Sequence, residues 1–264
     1  MHRTLGPRTL PQYLSGLEAE TKTFIRSLLK DSDNYLRHIR RYSGGLTLSI
    51  IYGYQVKSSD DKYLLMAEEC MDLLANKMSS SPGLWPVDIL PFLRFIPSWF
   101  PGGSFKKKAA EWKLKMATFV ESPFAHAKAS FVSGIFCPIK VYATQSLFLF
   151  FFQRAGTISP SFIASVLDSE PSLSAEHDAD LKFTANSMYA ASADTVCNDR
   201  NYGKILTSHS FYSNYQTIAS ISHLILAMMY YPVPFQKARD EIIRVIGTER
   251  LPTFDDRASL PYGM

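Results

Sequence analysis

The sequence predicts a mainly α-helical protein. Apolar residues recur at spacings near three and four along most of its segments, the period of a helix with one buried face. No stretch shows the alternation of apolar and polar residues that strands in series would need. Of the 264 residues, 46% are hydrophobic and 20% are charged, which is an ordinary balance for a chain that folds around a core. Extensive disorder is therefore not expected.

The first predicted helix covers residues 10–30. Pro11 suits its first turn, where the missing backbone N–H costs nothing. A stripe of apolar residues along this range predicts a surface helix with one buried face, formed by Leu14, Leu17, Phe24, Ile25, Leu28 and Leu29.

Two further helices are predicted before residue 80. Asp33 can cap a second helix that runs through Ile39 and Tyr42 and ends near Gly53. The stretch 61–78 repeats the apolar stripe, with Leu64, Leu65, Met71 and Leu74.

A proline-rich connector occupies residues 82–103. Its prolines, at positions 82, 86, 91, 97 and 101, exclude one continuous helix and predict short turns with exposed aromatic side chains. Two interpretations are open at this point. The connector is either a loop packed on the core or a hydrophobic lip that faces an apolar ligand or a membrane surface.

The second half of the chain predicts further helices. A basic helix covers 104–130, a short one covers about 159–168, a long one carries residues 190–195, and a last one is closed by Gly247. The formal charge is +4, and the densest basic run contains Lys106, Lys107, Lys108 and Lys113. Because no nucleic-acid motif accompanies this run, we expect a solvated helix face and no nucleic-acid partner.

Three stretches carry a family resemblance. They are "PVDILPFLRFIPSWFPG" (86–102), "AASADT" (190–195) and "LAMMYYPVPFQKARDEIIRVIGTERLPTFDDRASLPY" (226–262). In this order and spacing they resemble fungal cytochrome P-450 monooxygenases. The resemblance implies a partial P-450 fold over residues 1–264, with helices around the distal side of the heme site and without a complete heme-binding half.

The same resemblance implies a function. Members of the family are heme-thiolate monooxygenases, oxidoreductases that act on paired donors and insert one atom of dioxygen into an apolar organic substrate. Their electrons come from an NADPH-dependent flavoprotein reductase. The cofactor supplies the redox chemistry, while the protein binds, orients and protects the reactants.

Within "AASADT", the resemblance assigns roles residue by residue. It implies that Asp194 and Thr195 act in oxygen activation and proton relay, and that Ala191 and Ser192 face the distal side of heme. Ser192 stands where the family usually has glycine. It further implies substrate contacts from Met188, Tyr189 and Ala191. Small residues would allow a flat group to approach the backbone, but an acid and a hydroxyl can also simply cap or bend a helix.

The thiolate ligand of the family is missing from these residues. None of Cys70, Cys137 and Cys197 lies in the family's Phe-x-x-Gly-x-Arg-x-Cys-x-Gly surroundings, and no set of residues is assigned to a metal. Glu241 and Arg244 have a Glu-x-x-Arg spacing, which is interpreted as a surface pair on a helix. We therefore expect this chain not to bind heme and to be inactive. The alternative is a non-catalytic helical pseudo-oxygenase or interaction module.

Two segments interrupt the family pattern. Removing residues 196–216 joins "AASADT" to "TIASISHLILAMM" as one helix, and removing 132–153 joins "AHAKASF" to "RAGTISPSF". Val196-Cys197 and Val132-Ser133 can be encoded by splice-donor sequences, while Gln216 and Gln153 can be encoded by the splice-acceptor triplet CAG. The hypothesis is that both are retained introns; the alternative is genuine loop insertions.

Two observations give the cellular location that the residues predict for this chain. The start of the chain has no apolar core flanked by basic residues, and the apolar stretch 131–152 is interrupted by Pro138 and Lys140. We therefore expect an unanchored, cytosolic chain. The family resemblance instead implies the endoplasmic reticulum membrane, on its cytosolic face.

Overall fold

The protein is a bundle of helices. A computed structural model describes residue 6 and residues 9–78, 85–97, 103–135, 160–170, 174–197 and 216–262. These ranges contain α-helices and no strand, which confirms the predicted class. The helices are α1 (Pro11–Lys30), α2 (Tyr35–Tyr52), α3 (Lys62–Asp72), α4 (Pro86–Ile89), α5 (Ser104–Ile135), α6 (Phe162–Ser169), α7 (Ala175–Cys197), α8 (Gln216–Tyr230) and α9 (Pro232–Ile246).

Helix α2 lies at the centre of the bundle, packed against α1, α7, α8 and α6. The main core joins α2, α3, α5, α6 and α7 through buried side chains such as Leu48, Tyr63, Phe119, Ile163 and Tyr189. Burial of such apolar side chains supplies most of the energy that holds the helices together. A smaller cluster formed by Phe24, Ile39 and Ile218 joins α1, α2 and α8.

The ends of the helices follow local chemistry. Asp61 caps α3 by accepting the backbone N–H of Tyr63 at 3.0 Å, and Gly53 ends α2 with a left-handed φ of 69°. The predicted cap Asp33 is wrong, because Asn34 takes the N-cap position of α2 without a side-chain cap bond. Asn34 donates instead to the Asp31 carboxylate at 2.8 Å.

The described part of the proline-rich connector, residues 85–97, forms short turns, as predicted. Helix α4 has four residues, and a 3₁₀ turn follows over Pro91–Phe95. Phe92 is 60% exposed and Phe95 is 73% exposed. These two rings are therefore exposed, whereas the ring of Trp85 lies edge-on to Trp112 of α5, with centroids 5.4 Å apart, so both interpretations of the connector stay open.

The two segments that interrupt the family pattern fall mostly outside the described residues. Helix α5 continues beyond residue 130 to Ile135, so it includes the first residues of 132–153, and α7 extends to Cys197. Residues 136–153 and 198–215 lie outside the described ranges. Helices α7 and α8, which the retained-intron hypothesis joins into one helix, lie in contact with each other as two helices. The hypothesis stays a prediction.

Candidate functional site

Helix α7 presents two different faces. Leu181, Ala185 and Tyr189 follow one another at four-residue intervals and are all buried against the core. Phe183, Ser187 and Ala191 follow the same interval on another side and are exposed. Helix α7 thus packs against the bundle along the buried stripe. The side that carries Phe183, Ser187 and Ala191 is exposed to solvent and is called the open side below.

Tyr189 is the main anchor of α7. Its hydroxyl donates to the backbone carbonyl of Tyr63 at 2.8 Å, so this buried polar group is satisfied. Its ring meets Tyr52 edge-on, with centroids 5.8 Å apart, and lies 5.4 Å from the ring of Phe119. The side chain therefore ties α7 to α2, α3 and α5. Its assignment as a substrate contact stays a prediction.

The other predicted substrate residues lie beside this anchor. Met188 is half-buried and packs against the main core, whereas Ala191 is exposed. Residues 192–197 have helical backbone, but the side chain of Ser192 lies outside the described part of the molecule. The structure thus brings Met188, Tyr189 and Ala191 onto one turn of α7 and leaves their contacts with substrate or heme as predictions.

Asp194 and Thr195 belong to the last turns of α7. Their backbone is helical and their side chains are outside the described set. They follow Ala191 by three and four residues, so the helical register puts positions 191, 194 and 195 on the same side. That side begins with exposed residues, which is where a bound group could reach the helix.

The open side of α7 carries two small side chains. Ser187 and Ala191 are both small and exposed, so a flat group can come close to the helix there. Cys70 is buried, and its Sγ donates to the Lys115 carbonyl at 3.8 Å. Burial raises the pKa of the Cys70 thiol to about 11, which favours the neutral form. Cys137 and the side chain of Cys197 lie outside the described residues.

No metal centre is formed by the described residues: they contain no group of three His, Cys, Asp or Glu side chains that could hold an ion. His126 packs against aromatic side chains. Its ring lies edge-on to Tyr54 and Tyr63, at centroid distances of 5.0 and 6.0 Å, and its Nδ1 is buried without a hydrogen-bond partner in the described part of the chain. His177, by contrast, is exposed.

Glu241 is not part of a surface pair with Arg244. It is buried, and both of its carboxylate oxygens accept from the backbone N–H of Tyr262, at 3.2 and 3.1 Å. A carboxylate that binds a backbone N–H in this way fixes the end of the 250–262 segment against α9. The Glu-x-x-Arg spacing alone could not reveal this, because Tyr262 lies 21 positions further along the chain.

The connector residues form an exposed apolar lip, made of Ile89, Leu90, Phe92 and Phe95. The Arg94 guanidinium lies 4.6 Å from the centroid of the Phe95 ring. Lys107 and Lys108, at the start of α5, are exposed. Across the described ranges, no helix combines the length and the apolar character that crossing a membrane requires.

Comparison with known proteins shows which proteins this chain resembles in sequence. The chain matches no protein-family model. It is 34% identical over 265 residues to cytochrome P-450 monooxygenase claT of Ampulloclitocybe clavipes, a match that covers 99% of this chain and 43% of that protein. It is 32% identical to cytochrome P-450 monooxygenase 208 of Postia placenta, over 93% of this chain and 39% of that protein.

A third relative is cytochrome P-450 monooxygenase COX2 of Coprinopsis cinerea, 29% identical over 99% of this chain and 42% of its own length. The chain thus spans about two fifths of the length of the curated relatives it matches. Their similarity runs through nearly all of its residues, including the three stretches that carry the resemblance and the helix with the open face. On this evidence the chain is related, over nearly all of its residues, to about two fifths of the length of these fungal cytochrome P-450 monooxygenases.

Proposed function

We propose that these residues form the distal part of a heme-thiolate monooxygenase that oxidises an apolar organic substrate with dioxygen. The similarity to fungal P-450 monooxygenases along nearly the whole chain supports this proposal most directly. The open side of α7, which leads from Ser187 and Ala191 to positions 194 and 195, supports the location of the site. Electrons come from an NADPH-dependent flavoprotein reductase.

The proposal assigns tasks to each site residue. Heme, when bound, supplies the oxygen chemistry. Ala191 and Ser192 let its distal face approach the helix, and Met188, Tyr189 and Ala191 contribute to the substrate side. Asp194 holds and passes a proton, and the Thr195 hydroxyl donates a hydrogen bond, which are ordinary tasks of acid–base groups at fixed positions. Tyr189, whose hydroxyl is bonded to Tyr63, keeps this turn of α7 in place.

The paired roles of Asp194 and Thr195 are testable in a longer protein that contains this chain and binds heme. We expect Thr195→Ala and Asp194→Asn each to lower product formed per NADPH consumed by about tenfold or more, since each removes a proton-transfer group. Ser187→Ala, four residues from Ala191 on the exposed side of the same helix, is the matched control. Equal coupling in all four proteins would contradict the assignment.

We further propose that the 264-residue polypeptide itself is inactive, because it does not ligate heme through a cysteine. The neutral, buried Cys70 supports this. The test is to titrate the purified chain with hemin, reduce it under carbon monoxide and record the absorption spectrum. We expect no thiolate-type spectrum, and such a spectrum would overturn the proposal. A complete lack of heme uptake would favour the alternative, a non-catalytic pseudo-oxygenase or interaction module.

The location proposed for the longer enzyme is the endoplasmic reticulum membrane, on the cytosolic face. The exposed lip supports a contact with the membrane surface, because Phe92 and Phe95 would leave water on binding. Co-sedimentation of this chain with phosphatidylcholine vesicles tests the contact. We expect Phe92→Ser with Phe95→Ser to reduce the bound fraction several-fold, and Leu29→Ser, at an exposed leucine of α1, to leave it unchanged.

Residues 132–153 and 196–216 are proposed to be translated introns. The support is the family pattern that their removal restores around "AASADT" and "AHAKASF". Long-read sequencing of the transcripts should find a majority form that lacks both segments. Peptides of residues 140–150 or 198–215 in the native protein, identified by mass spectrometry, would establish them as genuine insertions and refute the proposal.

A further inference from the structure

A cavity between α1 and the segment that follows α9 has the features of a ligand site. Its volume is about 570 Å³, within the range of roughly 300–1,000 Å³ that is typical of small-molecule sites. Helix α1 forms one wall and residues 251–260 form the other. No residue of α7 lines it, so it is separate from the candidate oxygen site.

The wall opposite α1 is held firmly by its own hydrogen bonds. Arg250 donates two bonds to the Asp256 carboxylate, at 2.6 and 2.7 Å. Asp256 also accepts from the backbone N–H and the hydroxyl of Thr253, at 2.8 and 2.9 Å, and these bonds lower its pKa strongly. Glu241 fixes the end of the segment at Tyr262. The cavity therefore has a preformed wall, which reduces the entropy lost on binding.

The lining is largely apolar and carries two cations. Its apolar part consists of Ile25, Leu251, Pro252, Phe254 and Leu260. Lys22 and Arg257 also line the cavity, both are exposed, and neither side chain has a hydrogen-bond or ion-pair partner among the described residues. The Glu18 carboxylate, the one anionic group of the lining, accepts the backbone N–H of Phe254 at 3.1 Å.

We propose that this cavity binds an amphipathic monocarboxylate of medium chain length. Its hydrocarbon chain packs on Ile25, Leu251 and Phe254, where burial of apolar surface provides the driving force. Its carboxylate pairs with Lys22 and Arg257, whose charges are complementary and otherwise uncompensated. Glu18, already bound to the opposite wall, disfavours the carboxylate at its own end of the cavity and so orients the ligand.

The test compares two probes of equal chain length, dodecanoate and dodecan-1-ol, by isothermal titration calorimetry with the 264-residue chain. We expect dodecanoate to bind at one site and more tightly than the alcohol. Lys22→Gln combined with Arg257→Gln should weaken dodecanoate by about tenfold, because it removes both charged partners, and should leave the alcohol unchanged. Arg26→Gln combined with Lys30→Gln removes the same charge from exposed positions of α1 outside the cavity and is the control.

A second variant tests the apolar wall. Leu251→Asp, at an exposed position, should weaken both probes, and circular dichroism verifies that each variant keeps its helices. The proposal is overturned if dodecanoate fails to bind or binds no better than the alcohol. It is also overturned if the control charge variant weakens dodecanoate as much as the cavity variant does. Because the experiment needs no heme, its outcome is independent of the proposed monooxygenase function.

Discussion

At the scale of single residues, a buried ion pair makes the most specific contact between α1 and α2. Arg41 donates to Glu20 at 3.0 Å and to the backbone carbonyl of Val56 at 2.9 Å. The two charged side chains are only 9% and 10% exposed. Removing one partner would leave the other charge buried and uncompensated, which costs far more than the intact pair contributes.

We therefore expect Arg41→Leu to lower the free energy of unfolding by about 3–5 kcal/mol, measured by urea denaturation. Arg37→Leu is the matched control, since Arg37 pairs with Asp60 at the surface, where the side chains are 52% and 69% exposed. This exposed pair should contribute about 0–1 kcal/mol. Similar losses in both variants would show that the Glu20 charge is not effectively buried.

At the scale of single residues, His126 also makes the stability of the fold depend on pH. Burial, and then the charge of Lys62, lowers its pKa, while Asp61 opposes the shift. The rings of Tyr54 and Tyr63 pack against it. The unfolded chain, with a His pKa of about 6.5, therefore binds the proton more readily than the folded protein. The stability that the neutral His126 contributes is fully present above the unfolded-state pKa. It is lost as the pH falls towards the lower pKa of the folded state.

The expected result is a wild-type protein whose thermal midpoint falls between pH 7 and pH 5.5 more steeply than that of His126→Gln. His177→Gln, at an exposed position, should keep the wild-type slope. The comparison is between slopes, so a uniform loss of stability in either variant does not affect it. Parallel profiles of wild type and His126→Gln would rule out His126 as the source.

At the scale of elements, the close packing of α2 on α3 depends on a small residue. A Cβ added at Gly44 would clash with Cδ2 of Leu64, a buried side chain of α3. At Gly16 in α1, an added Cβ would meet nothing within 4 Å. Both glycines lie inside helices, where glycine costs backbone entropy relative to alanine.

These two positions predict opposite responses to one substitution. Gly16→Ala should raise the free energy of unfolding by about 0.5–1 kcal/mol. Gly44→Ala should lower it by about 1 kcal/mol or more, because Leu64 must leave its packed position. Chemical denaturation of both variants measures the difference. A stabilised Gly44→Ala protein would mean that the Leu64 side chain can turn aside at little cost.

The prediction of elements from sequence succeeded where a local period governs the backbone. The helix predicted for 10–30 corresponds to Pro11–Lys30, and Gly247, with a φ of 85°, closes the last helix as expected. The stretch 61–78 was expected to be one helix, yet it changes to a π-helical turn at Leu73–Met78. An apolar stripe indicates a helix but does not distinguish one helical hydrogen-bond pattern from another.

At the scale of the whole molecule, α8 and α9 expose an apolar face. Met229 is 75% exposed and Tyr230 is 74% exposed, and Tyr231 and Val233 are also exposed. Exposed apolar side chains that are grouped in this way mark interaction surfaces or promote association. The chain spans only about two fifths of the length of its P-450 relatives.

We expect the 264-residue chain to self-associate through this face. Met229→Lys combined with Tyr231→Lys should shift the species in sedimentation velocity towards monomer, because two charges then interrupt the apolar surface. Leu29→Lys, at a leucine of α1 that is 83% exposed, is the control and should change the distribution little. Association that persists in the double variant would assign it to another surface, such as the lip at Phe92 and Phe95.

The order of amino acids was enough to predict the helical class, the broken connector and the resemblance to the P-450 family. Each depends on residues that are close together in the sequence: apolar residues at a helical period, prolines at known positions, or a motif such as "AASADT" that is recognised without coordinates. Tertiary structure alone decided that Tyr189 anchors α7 through Tyr63, that Glu241 holds Tyr262, and that His126 is enclosed by Tyr54 and Tyr63. These contacts join distant positions, and side-chain burial there depends on how helices pack, a property that no local pattern encodes.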